Sequence, residues 1–170
     1  MIAQLTAEQE QLVIDETARY IQLANSLLST DYQVIPVKFD LTGHTIGMYK
    51  RSREQILIRY NALIFSKYFK QNLQQTVPHE VAHYIIDKQF SKKKVLPHGP
   101  EWRAMMQQFG AKASRTAQYD LSDIPKRRYS TVPYRCDCQT HQLGVRRHNK
   151  VVQRKTNYFC RQCGELLKAV

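Results

Sequence analysis

Thr76-Val77-Pro78-His79-Glu80-Val81-Ala82-His83 is the stretch around which the rest of this chain is arranged. It contains His-Glu-x-x-His, a spacing used by zinc peptidases. On an α-helix, residues i and i+4 lie one above the other on the same face. His79 and His83 can therefore aim two imidazoles at one metal ion. Glu80 is rotated by about 100° from His79. It reaches the same cavity without being the next ligand, which is where a base acting on water belongs. A zinc ion would complement it by lowering the pKa of a water it holds to about 7. Two histidines and a glutamate can also share a surface helix and bind nothing. Here Tyr84, Ile85 and Ile86 follow His83, so the helix runs on into an apolar, buried face.

A hydrolytic zinc site keeps three protein ligands and one open position. A Gly at 86 and a His at 89 would give the metzincin pattern, but the chain has Ile86 and Gln89. Two nearby candidates are His98 and Glu101, in Pro97-His98-Gly99-Pro100-Glu101-Trp102. Histidine suits zinc, and Gly99 lets the backbone bend close to the metal. Glu101 would give a two-His-one-Glu set instead. Asp87, one turn beyond His83, points further along the helix.

These residues carry a resemblance. His79-Glu80-x-x-His83 followed by His98-Gly99-x-x-Trp102 resembles the SprT-like metalloprotease family. The tail resembles the zinc-ribbon end of its bacterial members, through Tyr134-Arg135-Cys136-Asp137-Cys138, Val145-Arg146-Arg147-His148-Asn149 and Cys160-x-x-Cys163-Gly164. The likeness runs from about residue 34 to the C-terminus. It implies that His98 is the third ligand of a catalytic zinc, ahead of Glu101. It also implies kinship with the eukaryotic Spartan proteases, which degrade proteins crosslinked to DNA. The expected fold is α+β: a zincin-like domain of N-terminal helix, small antiparallel or mixed sheet and metal helix, followed by a zinc ribbon.

The 170 residues suit one domain with a small appendage. The expected division is a protease domain over 1–125, a basic linker over 126–133 and a ribbon over 134–170. The formal charge is +12, unevenly spread. Residues 126–170 hold eleven Lys or Arg against Asp137 and Glu165, a balance of +9 that leaves +3 for the rest. A basic tail on a near-neutral body points to a polyanion partner. No apolar run approaches a membrane span, and Met1-Ile2-Ala3-Gln4-Leu5-Thr6 lacks the form of a signal peptide. A cytoplasmic location without membrane contact is expected.

Along the chain, Thr6-Ala7-Glu8-Gln9 reads as a capping box opening a helix to about Leu28. Strands are expected over 34–39, 46–50 and 55–60, with Lys50 to Glu54 a polar turn and Gly43 and Gly47 at bends or bulges. The strand near Ile56 to Tyr60 is expected to align substrate as an added strand. His44 reads as a solvated loop residue. A short helix should begin near Asn61. Pro78 should lie in a longer, kinked helix ending near Gln89. Ser91 to Lys94 reads as an exposed loop. Pro100 suits N1 of another helix, whose Trp102, Met105, Met106 and Phe109 form a core stripe. Gly110 suits its C-terminal cap.

All four cysteines lie in the tail, and clustered cysteines with a Cys-x-x-Cys in a soluble intracellular chain favour metal over disulfides. Cys160 and Cys163 form one knuckle. Cys136, Cys138 and His141 offer three ligands for two places, so four of these five residues should hold a structural zinc. A strand-like hairpin between the knuckles would present Arg146, Arg147, Lys150, Arg154 and Lys155 to DNA, with Tyr134, Tyr158 and Phe159 as stacking or core aromatics. No base-reading motif is present, so DNA contact should be mostly sequence-independent. The expected activity is therefore zinc-dependent hydrolysis of DNA-associated proteins, with Glu80 as base. Its rival is a non-enzymatic nucleic-acid-binding zinc protein.

Overall fold

The computed structural model describes residues 4–91, 95–126 and 129–170. The expected loop at Lys92 to Lys94 and the linker arginines Arg127 and Arg128 lie outside the described residues. The chain divides into two compact units, residues 1–126 and 127–170.

The first unit opens with α1, Ala7–Leu28. Its capping box forms as read: the Gln9 amide donates to the Thr6 hydroxyl at 3.2 Å, and the Thr6 amide to Gln9 Oε1 at 3.0 Å. Val13, Thr17, Tyr20, Ile21 and Ala24 make its buried stripe. The Thr17 hydroxyl, buried there, is satisfied by the Val13 carbonyl and the Tyr60 hydroxyl.

Three strands follow: β1 (Val37–Lys38), β2 (Gly47–Arg51) and β3 (Ile56–Tyr60). Their order is β1-β3-β2, with β1 parallel and β2 antiparallel to β3. The strand expected over 34–39 shrinks to two residues. Pro36 has no N–H to give a ladder, and contributes only its carbonyl, which accepts from Ile58. β3 is central, so its ladder groups are already taken on both sides. It cannot receive an added peptide strand, contrary to the expectation from the sequence.

Asn61 caps α2, Ala62–Lys67, accepting from the amides of Leu63 and Ile64. From α3 (Phe69–Gln71) the chain stays helical through a π-turn, Asn72–Thr76, into α4, Val77–Gln89. Pro78 thus sits inside one longer helix, as expected. The π-turn directly before it supplies the irregularity that a proline without an N–H imposes. Gly99 caps α5, Pro100–Gln108, which buries Trp102, Met105 and Met106. Its end is a Schellman motif: Gly110 (φ 68°) donates to Gln107, and Ala111 to Met106.

α1, α4, α5 and the sheet share one core, including Val13, Ile21, Ile58, Val81, Ile85 and Met106. Each such side chain contributes about 1.5–3 kcal/mol by leaving water. Residues 111–126 lack regular structure but are tied down. Tyr119 stacks on Tyr68 at 4.3 Å, Lys67 pairs with Asp123 at 2.6 Å, and a His44 ring nitrogen lies 3.1 Å from the Ile124 carbonyl. His44 is therefore a fastener for this segment rather than simply a solvated residue.

In the second unit, β4 (Thr131–Arg135) pairs with β5 (Thr140–Gly144) on one side and β6 (Lys168–Ala169) on the other. Tyr134, Cys136, Leu143, Cys160 and Leu167 fill a small core. The hairpin expected between the knuckles is instead α6, Val145–Val152, entered from Gly144. Tertiary contacts decide for the helix. Helical spacing turns His148 and Val151 inward together, where the Tyr134 hydroxyl meets His148 Nδ1 at 3.0 Å and Val151 packs on the core. The helix closes in a Schellman motif with Arg154 in the left-handed position (φ 55°). Among the described residues, no helix is long and apolar enough to cross a membrane.

Candidate metal centres

α4 supplies His79 and His83 one turn apart, and the turn before α5 supplies His98. His98 adopts φ 59°, an uncommon backbone state for a residue other than glycine. The turn is closed by the Gly99 amide on the Leu96 carbonyl at 2.9 Å. The three Nε2 atoms converge, with separations of 3.2, 3.0 and 3.0 Å. Zn–N bonds of about 2.0–2.1 Å in a tetrahedron put ligand nitrogens roughly 3.3 Å apart. The residues therefore fit a zinc ion with three histidine ligands and one open position. Glu101 is not in the cluster and lines a separate cleft with Leu28, Ile86, Phe90 and Met105. Asp87 is engaged elsewhere, by Tyr49 and Arg51.

Burial keeps these imidazoles neutral, the form that binds metal. The His79 ring is pushed down to about 4 by burial and by His98, with the Ser114 carbonyl acting in the opposite direction. Burial, then His79 and His98, pushes His83 down to about 3. Trp102 walls the cluster. Its ring lies 4.7 Å from His79 and His98 and 5.7 Å from His83, and its indole N–H donates to the His79 carbonyl at 3.3 Å. The sequence marks Trp102 as core; it is also the floor of the site, four residues after His98.

Glu80 is 7% exposed. Burial raises its carboxyl to about 7, partly offset by the Tyr49 amide, which donates to Oε2 at 2.7 Å. A carboxylate poised near neutrality can both accept and return a proton. Tyr49 and Gly47 were missed in the sequence because their meeting with Glu80 spans more than thirty residues and leaves no local signal.

The second centre gathers Cys136, Cys138, Cys160 and Cys163. The Sγ separations are 3.4 Å for Cys136–Cys138 and 3.6 Å for Cys138–Cys160, and none of the four is in a disulfide. Zn–S bonds of about 2.3 Å place tetrahedral sulfurs roughly 3.8 Å apart. The four thiols fit zinc. His141 is the fifth candidate, and its Nε2 lies 3.3 Å from Cys136 Sγ. That contact raises the imidazole's affinity for a proton, as expected for a group that donates to sulfur. The Cys163 and Gln162 amides draw the Cys160 thiol down to about 5, towards the thiolate a metal needs. The five basic residues expected to face DNA divide differently from expectation. Arg146, Arg147 and Lys150 project from α6, and Arg154 and Lys155 follow its end, all exposed.

A three-histidine cluster with a buried glutamate, on a mixed α+β unit followed by a four-cysteine ribbon, defines a zinc-binding class of protein. The SprT-like family description matches residues 17–130, and that of the SprT-like zinc ribbon domain matches residues 133–170. "Protein SprT" of Yersinia pestis is 39% identical over 163 residues, covering 95% of this chain and 91% of that protein. Proteins of the same name from Yersinia enterocolitica (40%; 88% of this chain, 85% of that one) and Klebsiella pneumoniae (35%; 94% and 93%) are also similar. The chain belongs to the SprT-like family. No solved structure matches it.

Proposed function

We propose that this protein is a zinc-dependent endopeptidase acting on proteins bound or crosslinked to DNA, with the ribbon as its sequence-independent DNA contact. The observation that carries the hydrolytic part is Glu80, a buried carboxylate one position after His79 on the helix that supplies two of the three converging histidines. A purely structural site has no use for a base there. His79, His83 and His98 would hold the catalytic ion, and Cys136, Cys138, Cys160 and Cys163 the structural one. When bound, the catalytic zinc supplies Lewis acidity to the scissile carbonyl and to the attacking water. Glu80 accepts the water's proton and passes it to the leaving amine nitrogen. Trp102 and the surrounding core keep bulk water from the back of the histidines.

The DNA-directed part is supported by charge and exposure. Arg146 and Lys150, four residues apart on α6, share a face. None of Arg146, Arg147, Lys150, Arg154 and Lys155 has an ion pair among the described residues. Of the three aromatics within the ribbon, residues 134–170, Tyr134 is buried and Tyr158 lies under Arg147 at 5.8 Å. Phe159, 60% exposed, is the one left to meet a base. The test combines metal content with proteolysis in the presence and absence of DNA. Two zinc ions and DNA-stimulated cleavage are expected. Tight DNA binding with no cleavage by the two-zinc protein would replace this reading with a non-enzymatic one.

A further inference from the structure

β2 passes α4 at the level of Glu80 so closely that one of its residues must lack a side chain. A Cβ on Gly47 would lie 2.7 Å from Glu80 Oε1, 2.8 Å from Glu80 Cγ and 2.9 Å from Thr76 Cγ2. Thr76 ends the π-turn and cannot swing freely, because its hydroxyl donates to Asn72 Oδ1 at 2.7 Å. Two residues along, Tyr49 pairs with Ile58 of β3, while its amide turns to α4 and holds Glu80 Oε2 at 2.7 Å. The same residue's hydroxyl donates to Asp87 Oδ2, also at 2.7 Å. Arg51 adds bonds from one guanidinium nitrogen to both Asp87 oxygens, at 2.9 and 2.8 Å. Glu80 and Asp87 stand seven residues apart on one helix face, about 10 Å along its axis. Tyr49 therefore grips two carboxylates of α4, one with its backbone and one with its ring.

We propose that β2 is the positioning element of the Glu80 carboxylate. Gly47 opens the space it occupies, the Tyr49 amide fixes one oxygen, and Asp87 locks β2 to α4 through Tyr49 and Arg51. The proposal rests on the hydrolytic reading above and assigns these residues no contact with substrate. A carboxylate fixed at both ends of its reach offers its remaining lone pairs in one direction. Displacement by about 1 Å can cost on the order of 100-fold in rate.

The test uses the full chain with both zinc ions. Gly47→Ala should lower kcat for an unstructured protein substrate by about 100-fold, leaving KM and zinc content close to wild type. Tyr49→Phe and Asp87→Asn keep the Tyr49 amide but loosen its strand, and should lower kcat by less, again without loss of zinc. A second measurement does not depend on cleavage. Gly47→Ala should lower Tm in the wild-type background and lower it less in a Glu80→Ala background, where the clash with the carboxylate is gone and only the one with Thr76 Cγ2 remains. An unchanged kcat in Gly47→Ala, or a fall explained by lost zinc, overturns the proposal. Equal Tm losses in both backgrounds overturn it as well. If the wild type cleaves nothing, the hydrolytic reading fails, and the Tm comparison alone decides whether β2 fixes the carboxylate.

Discussion

The two metal centres of this chain are built by opposite strategies. The four cysteines come from two short knuckles whose own turns supply amides to the sulfurs, as Gln162 does for Cys160 at 3.4 Å. Four thiols make up a complete tetrahedral set, and the nearby His141 serves sulfur rather than water. The three histidines come from a long helix and a distant turn, backed by the core of a larger unit. Three ligands would leave a tetrahedral ion one place open, and the buried acid Glu80 follows the first of them on the same helix. The contrast teaches that a closed set of ligands stabilises a fold, whereas an incomplete set beside a poised base can do chemistry.

The comparison breaks most sharply at the third histidine. His98→Ala should drop the zinc content from two ions to one and abolish cleavage, while the ribbon keeps its ion. Glu101→Ala should retain two. Metal analysis of both variants decides, and loss of zinc from Glu101→Ala alone would move the third position to glutamate. Acid provides the next test. In the metal-free protein, His79 and His83 bind protons only near pH 4 and 3, whereas in the unfolded chain they do so near 6.5. Between those values the two histidines give the unfolded state two more protons, against one that Glu80, raised to about 7, gives the native state, so on balance stability falls as pH drops from about 6.5 towards 4. Thermal melts of the metal-free protein across that range should show the decline. A flat profile would mean that the histidines are not buried as described.

The smallest effect concerns the ribbon's surface. Arg146→Ala with Arg147→Ala should weaken DNA binding similarly across sequences and flatten its salt dependence by up to about two units. Cleavage of a small peptide should barely change. An unchanged affinity and slope would make α6 an ordinary solvated helix.

Much of this was legible in the chain. The capping box at Thr6, the core stripe from Trp102 to Phe109, the Gly110 cap and the His79–His83 spacing are local patterns, and local patterns survive folding. The errors lie where distant contacts decide. Valines at 145, 151 and 152 favour a strand until His148 meets Tyr134 across the ribbon. Val34 to Phe39 has strand character, but Pro36 limits its pairing. The central place of β3 depends on which strands flank it, which no single stretch records. The resemblance supplied His98 as third ligand; spacing alone left Glu101 open, and only the turn's geometry separates them.

The central claim is that Glu80 acts on water beside a zinc ion it does not bind. Glu80→Gln tests it most directly, because the amide keeps the shape of the side chain and removes the base. The purified variant should retain two zinc ions and a Tm near wild type, and lose cleavage of a DNA-bound protein by at least about 100-fold. Cleavage at the wild-type rate by a variant with both ions in place would contradict the account.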